Sequence, residues 1–450
     1  MSSPELLAAS GLNTPQSEPE PIIHPTAARA DLPILVESDK TMYTDEYITS
    51  TFNYRGQNVI NDGTKYIVKP TLKTFQFRTA RKVPRTGYGF PASPHPRSLA
   101  PLTSPRRSTD VPPSYSLMMV GLGGNNGTTL TATILANRHH ITWRTKEGIQ
   151  RPNYIGSVLR ASTLRLGVDP ATGKDVHVPL SSVLPTVHPN DLVIGGWDIS
   201  GAPLDAAMQR AQVLPWDLQR QLITLMAPFK PLPSVYYPDF IAANQEERAD
   251  NLLPGKDKQA HLEQLRADIR KFKADNTLDQ VVVFWTANTE RFADILPGVN
   301  DTADNLLSAI QMSHDEVSPS TLFAVAAILE GAPFINGAPQ NTFVPGCIAL
   351  AERERVFIGG DDLKSGQTKL KSVLAEFLVN AGIKPLSIAS YNHLGNNDGR
   401  NLSAERQFRS KEISKSSVVD DMVAANHLLY KPAAPGEKKG EHPNHLVVIK

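Results

Sequence analysis

This 450-residue sequence holds a single cysteine, Cys347. One thiol can form neither an intramolecular disulfide nor a Cys-based metal cluster, and it fits a reducing compartment. Long apolar runs are missing as well: nothing approaches the roughly 18 residues that a membrane-spanning helix needs. The opening residues, MSSPELLAASGLNTPQSEPEP, lack a basic segment followed by an apolar one, so they do not read as a signal peptide. Charge of one sign is scarce. Lys plus Arg number 46 and Asp plus Glu 45, a net charge of +1, which removes the bulk attraction a nucleic-acid binder depends on. What is present is 40% hydrophobic content, enough for a large core in two or three domains of a cytoplasmic protein with no metal site and no membrane partner. In that compartment Asn126-Gly127-Thr128 and Asn300-Asp301-Thr302 are chance matches to the glycosylation pattern.

Residues 1–30, rich in Ser, Pro, Glu and Ala, read as a disordered tail. Residues 31–90 alternate apolar and polar in short runs, the pattern of half-buried β structure. The stretch 89–113 is Pro/Ser/Arg-rich and reads as a solvated linker or insert. Strand and helix patterns then alternate. SLMMV (116–120), DLVI (191–194) and VVVFW (281–285) are short buried strands. Thr128–Ala136 continues as a helix. Leu204, Ala207, Met208 and Ala211 fall at helical spacing, as do Leu262, Leu265, Ile269 and Phe272. Ser318-Pro319 is an N-cap followed by proline at the first helical position. Leu370, Val373, Leu374, Phe377 and Leu378 form an apolar stripe ended by Gly382 and Pro385. The fold class that follows is α/β, a mostly parallel sheet with helices on both faces.

Strand, glycine turn and helix follow one another at 116–136. The turn is Gly121-Leu122-Gly123-Gly124-Asn125-Asn126-Gly127. Glycines permit positive φ and close approach of backbone to a pyrophosphate, and the helix N-terminus presents N–H groups to it. The spacing departs from G-x-G-x-x-G: Asn126 occupies the third glycine position and Gly127 comes one later, with no acidic residue about 20 positions on. A tight turn without a ligand is the alternative. Gly360–Gly366 is not a phosphate-binding P-loop, since Gln367 follows where Lys is required. GWDISG and TANTER place Asp198 and the Thr286–Thr289 segment beyond strands, where ligands of open α/β sheets bind. Lys411 and Lys415 are four apart and share one face of a helix; a solvated basic face is the other reading of that pair.

GLGGNNGTT, TKEG, GWDISG, YYPDFIAANQ, TANTER, NGAPQNTFVPG, GDDLKSGQTKLKSVL, SYNHLGNNDG and QFRSKEISKSSVVDDM, in that order, resemble the eukaryotic inositol-3-phosphate synthase family, also called myo-inositol-1-phosphate synthase. The resemblance runs from about residue 30 to the last residue. It implies a Rossmann-type NAD-binding domain with a smaller α+β catalytic and tetramerisation domain. It also implies a redox-neutral, NAD-dependent conversion of glucose 6-phosphate to inositol phosphate by a homotetramer. Carried over by motif, Lys411, Lys415, Asp362, Asp398 and Asn396 are catalytic, and Ser365, Gly366, Gln367, Asn392 and Leu394 bind substrate. Cofactor contacts are Gly124, Asn125, Asn126, Gly127, Asp198, Ser234, Val235, Gln245, Arg248, Thr286, Ala287, Asn288, Thr289, Gly337, Ala338, Asp362 and Asn397, with Asp198 suited to ribose hydroxyls. Two lysines facing one cavity depress each other's pKa, leaving one as proton shuttle and the other as electrostatic clamp. His393 reads as a loop histidine rather than a general base.

The expected domains are 31–113 (β-rich, with the insert), 114–368 (NAD-binding) and 369–450 (catalytic and oligomerising). The family continues past HLVVIK into a G-D-S-K segment and a further active-site lysine, so 369–450 is expected to be incomplete. Two other readings stay open at this stage. A non-catalytic NAD-binding fragment would keep the turn without turnover, and a sugar-phosphate dehydrogenase would need the turn but not Lys411 and Lys415.

Overall fold

Strands buried on both faces read as continuous runs of apolar, β-branched and aromatic residues, and runs of this kind form the centre of the main sheet. A computed structural model describes residues 34–44, 47–80, 115–183, 186–364, 366–392, 404–434 and 440–449. The sheet strands are β1 (Tyr115–Val120), β2 (Val193–Asp198), β3 (Leu232–Pro233), β4 (Gln280–Trp285), β5 (Phe334–Asn336) and β6 (Ile358–Gly359). Their order across the sheet is β3-β2-β1-β4-β5-β6, and every neighbouring pair is parallel. This is the doubly wound Rossmann order, with β1 and β4 at the point where the winding reverses. Val120 aligns with Trp197 on one side and Trp285 on the other, which brings the carboxyl ends of the central strands level.

Helices cover both faces. On one, α1 (Asn125–Arg138), α2 (Leu204–Ala211) and α3 (Trp216–Met226) pack Ala132, Leu135, Met208 and Leu222 against Met119 and Ile194. On the other lie α4 (Lys258–Asp275), α5 (Ala303–Gln311), α6 (Pro319–Leu329) and α7 (Pro345–Glu354). Their Leu265, Ile269, Leu306, Phe323 and Leu350 meet Met118, Val283 and Trp285. Each fully buried Leu or Ile here contributes about 2 kcal/mol. Helix α6 begins as its sequence dictates: the Ser318 hydroxyl accepts from Thr321 N at 3.1 Å and Pro319 takes the first position.

Three expectations shift. β2 lies at 193–198, because Pro189–Asp191 forms a 3-10 turn before it, so Asp198 ends the strand and does not follow it. Helix α1 starts at Asn125, so Asn125, Asn126 and Gly127 form its first turn. Beyond the sheet, α8 (Gly366–Asn380) turns its apolar stripe outward: Leu370, Val373, Leu374 and Phe377 are exposed, while Thr368, Lys371, Ser372, Ala375 and Val379 are buried. The inward face packs Ala375 and Val379 on Val419, Val423 and Tyr430. A parallel pair, β7 (Ser387–Asn392) with β8 (Asn444–Ile449), and helix α9 (Glu405–Ser416) accompany it.

The described residues group into two units, one within 1–81 and 154–186, the other within 82–153 and 187–450. The first contains the long hairpin Tyr47–Asn61 with Tyr66–Ala80, edged by Thr41–Tyr43, and the pair Thr163–Val168 with Asp175–Pro179, all antiparallel. The hairpin turn is closed by the Asp62 carboxylate, which accepts from Thr64 N, Thr64 Oγ1 and Lys65 N. The region is β-rich as expected but less covered than half-buried alternation implies: Phe52, Tyr54, Phe75 and Phe77 are exposed. The 1–30 tail and the 89–113 insert lie outside the described residues. Among the described residues no helix is long and apolar enough to cross a membrane.

Candidate active site

The six strands of the sheet carry candidate residues at one common edge, their carboxyl ends. Beyond β1, the Gly121 and Leu122 amides donate to the Trp197 carbonyl at 2.8 and 3.0 Å, which folds the turn over β2. Gly121 has φ +92°, and a Cβ there would lie 2.7 Å from Ala287 Cα. A Cβ on Gly127 would lie 2.3 Å from the Leu122 carbonyl oxygen, so α1 can pack on the turn only with glycine at this position. Gly127 thus does the packing work of the third glycine of the fingerprint, one residue late. Gly124 is the N-cap of α1 and supplies no side-chain cap, the geometry of an anion-binding helix start.

Asp198, buried at the end of β2, accepts from Gly123 N at 2.9 Å, Ser200 N at 2.9 Å and Arg248 Nη2 at 2.8 Å. Arg248 and Gln245 share a 3-10 turn (Ala243–Arg248), and Arg210 Nη2 donates to the Gly123 carbonyl at 2.7 Å. The Arg248 Nε is buried with no partner among the described residues. Ser234 and Val235, both buried, follow β3. Thr286 follows β4 and is tied to β1 by its amide and hydroxyl, both donating to the Val120 carbonyl. The Asn126 side chain donates to the Thr286 carbonyl at 3.3 Å, joining the first turn of α1 to the Thr286-Ala287-Asn288-Thr289 segment. After β5, Gly337 N donates to the Trp285 carbonyl at 3.0 Å, and Ala338 N to Asn336 Oδ1. These groups suit NAD: a glycine cradle that a Cβ would fill, an uncapped helix start, and an acid at the end of the neighbouring strand.

The edge continues past β6 to Asp361 and Asp362. Burial pushes the Asp361 carboxyl up to about 6, opposed by the Asn336 amide 2.6 Å away. Asp362 has φ +75° and accepts from Ser414 Oγ at 2.7 Å and Lys364 Nζ at 3.2 Å. Ser414 belongs to α9, so Asp362 is where the sheet edge meets the lysine helix. Lys411 and Lys415 lie on α9, Lys411 half-buried and Lys415 buried. The helix docks on the same edge through Ser410 Oγ, which donates to the Glu290 carbonyl at 2.8 Å, and Gln407 Nε2, which donates to the Phe240 carbonyl at 2.9 Å. The Glu290 carboxyl in turn accepts from Ser320 N and Oγ at the start of α6, and burial pushes it up to about 8.

Gly366 and Gln367 open α8, and both polar atoms of the Gln367 side chain are buried without a partner among the described residues. Asn392 ends β7. Ser365, His393, Leu394, Asn396, Asn397 and Asp398 lie outside the described residues. Sequence reasoning missed Lys364, Lys371 and Ser414. The available signal was spacing: Lys371 is in helical phase with Thr368 and Ala375, the face that proves to be inward, but the outward apolar stripe drew the reading.

The family model described as myo-inositol-1-phosphate synthase, an NAD-binding one, matches residues 115–433. The inositol-3-phosphate synthase of Dictyostelium discoideum is 54% identical over 92% of this chain and 74% of its own length. Inositol-3-phosphate synthase 1 of Homo sapiens is 54% identical over 92% of this chain and 67% of its own. The crystal structure of inositol-3-phosphate synthase from Caenorhabditis elegans superposes with a TM-score of 0.81 at 50% identity, covering 93% of this chain and 75% of that one. With the Rossmann strand order, the glycine cradle and these likenesses together, the chain belongs to the myo-inositol-1-phosphate synthase family.

Proposed function

We propose that this protein is an inositol-3-phosphate synthase. It converts D-glucose 6-phosphate to 1D-myo-inositol 3-phosphate, the first step of an inositol supply for phospholipids, as a cytoplasmic homotetramer. The observation that carries the reading is the junction of a cofactor-binding sheet edge with a lysine-bearing helix at Asp362 and Ser414. A dehydrogenase needs only the edge. An isomerase that also makes a carbon–carbon bond needs cations where oxyanions develop.

Bound NAD supplies a hydride acceptor and later returns the same hydride. The substrate C5 alcohol loses its proton and hydride to become a ketone, which acidifies the C6 protons. Loss of one leaves an enolate whose carbon attacks the C1 aldehyde, closing the ring; the C1 oxygen takes a proton, and C5 is reduced again. Substrate and product are isomers, so the steps balance without net oxidation. Lys411 and Lys415 stabilise the enolate and the C1 alkoxide and carry protons between them. Gly366 and Gln367, at the start of α8, receive the phosphate. The glycine cradle of β1, Asp198 and the Thr286–Thr289 segment orient the dinucleotide. Residues 369–450 serve as the catalytic and oligomerising part.

The test is incubation of glucose 6-phosphate with the protein and a catalytic amount of NAD. Inositol phosphate should accumulate with no net NADH. Stoichiometric NADH without inositol phosphate would overturn the reading in favour of a sugar-phosphate dehydrogenase.

A further inference from the structure

Two lysines from outside α9 hold its C-terminal end. Lys364 Nζ donates to the Ser414 carbonyl at 3.1 Å and the Ser414 hydroxyl at 2.6 Å. Lys371 Nζ donates to the Lys415 carbonyl at 2.7 Å and lies 3.4 Å from Ser390 Oγ on β7. The last carbonyls of a helix lack intrahelical donors and carry the negative end of its dipole, so a cation there acts as a cap. Such cations are ordinarily exposed and belong to the helix they cap. Lys371 belongs to α8, is only 8% exposed, and points inward while its leucine neighbours point out. Burial first, then the charges of Lys415 and Lys364, push its ammonium down to about 8. The third titratable group facing it is His445 on β8, whose own pKa is lowered by burial and by Lys371. A cation buried among cations costs stability, and arrangements of this kind gather at functional sites.

We propose that Lys371 is a positioning residue for Lys415, capping its carbonyl from behind so that the last turn of α9 presents the Lys415 side chain in one fixed place. Lys364 does the same one residue earlier, and through Asp362 it ties that turn to the strand end of β6. The inference rests on the reading of Lys415 as an active-site residue.

Two variants test it. Lys371→Met removes donor and charge; Lys371→Gln keeps a donor and removes the charge. Lys371→Met should lower kcat by about tenfold or more, with KM for glucose 6-phosphate and NAD affinity within about threefold. Lys371→Gln should recover much of that loss. In both, an inflection of the kcat–pH profile near 8, where burial places the Lys371 ammonium, should be lost, since the group that titrates there has gone. Amides at 416–419 should exchange faster in Lys371→Met, and those of α6 should not. Wild-type turnover with an unmoved profile in Lys371→Met overturns the proposal. So does joint loss of NAD binding and thermal stability in both variants, which would make Lys371 a packing residue. Lys415→Ala separates the levels: if it turns over normally the reading of Lys415 itself fails, whereas an inactive Lys415→Ala beside an unaffected Lys371→Met removes only the positioning role.

Discussion

The two sides of the site are held by different physics. Along the sheet edge, position is set by backbone: parallel ladders level the strand ends, and Gly121, Gly127 and Gly337 approach neighbouring backbone so closely that a Cβ has no room. On the α8–α9 side, position is set by hydrogen-bonded charge, in Asp362, Lys364, Lys371 and Ser414. At its glycine contacts the first side should respond to volume, and the second side to charge.

The largest effect expected is on the charged side. Lys411→Ala should abolish turnover and leave NAD affinity within about tenfold, measured by fluorescence titration. An equal loss of NAD affinity would assign Lys411 to the cofactor and break the division. Gly127→Ala probes the other side: a Cβ 2.3 Å from the Leu122 carbonyl oxygen must force the turn and α1 apart. We expect a destabilisation of about 1–3 kcal/mol and a marked fall in NAD affinity, the latter at any pH. A wild-type NAD titration for this variant would show that the cradle is looser than its geometry. Glu290 lies between the two sides. Its folded-state pKa is raised from 4.5 to about 8, so the folded protein keeps a proton that the unfolded chain releases. Stability should therefore fall as pH rises through that window, and Glu290→Gln should flatten the fall in urea unfolding series. A wild-type slope in the variant would place the titration elsewhere. The smallest effect is Ser410→Ala, which removes one buried hydrogen bond between α9 and the strand-end segment and should cost about 1 kcal/mol.

Legibility in the sequence followed the same division. VVVFW and SLMMV announce buried parallel strands because burial on both faces demands unbroken apolar runs. Ser318-Pro319 announces a helix start because capping is a local event. Gly127 looked misplaced against the standard fingerprint, since its purpose, letting α1 rest on the Leu122 carbonyl, involves a backbone five residues back that spacing rules do not encode. The charged side was harder. Apolar periodicity in α8 marked Leu370, Val373, Leu374 and Phe377, yet that stripe faces outward, and nothing local distinguishes a stripe that meets its own core from one that does not. Nothing in that stripe therefore singles out Lys364 or Lys371. Their purpose lies in α9, about 50 residues on, and only tertiary placement reveals it.

The level row of strand ends has a consequence for how such a chain can change over time. In a parallel sheet each connection returns to the opposite edge, so the stretch between α1 and β2, residues 139–192, enters β2 at the end far from the chemistry. It carries two short antiparallel pairs and hands part of itself, 154–186, to the other unit. Such a connection can lengthen, shed or borrow structure while Asp198 and Gly121 keep their places. Changes of length can thereby be taken up in that connection while the ladders of β1 and β2 hold the strand ends where they are.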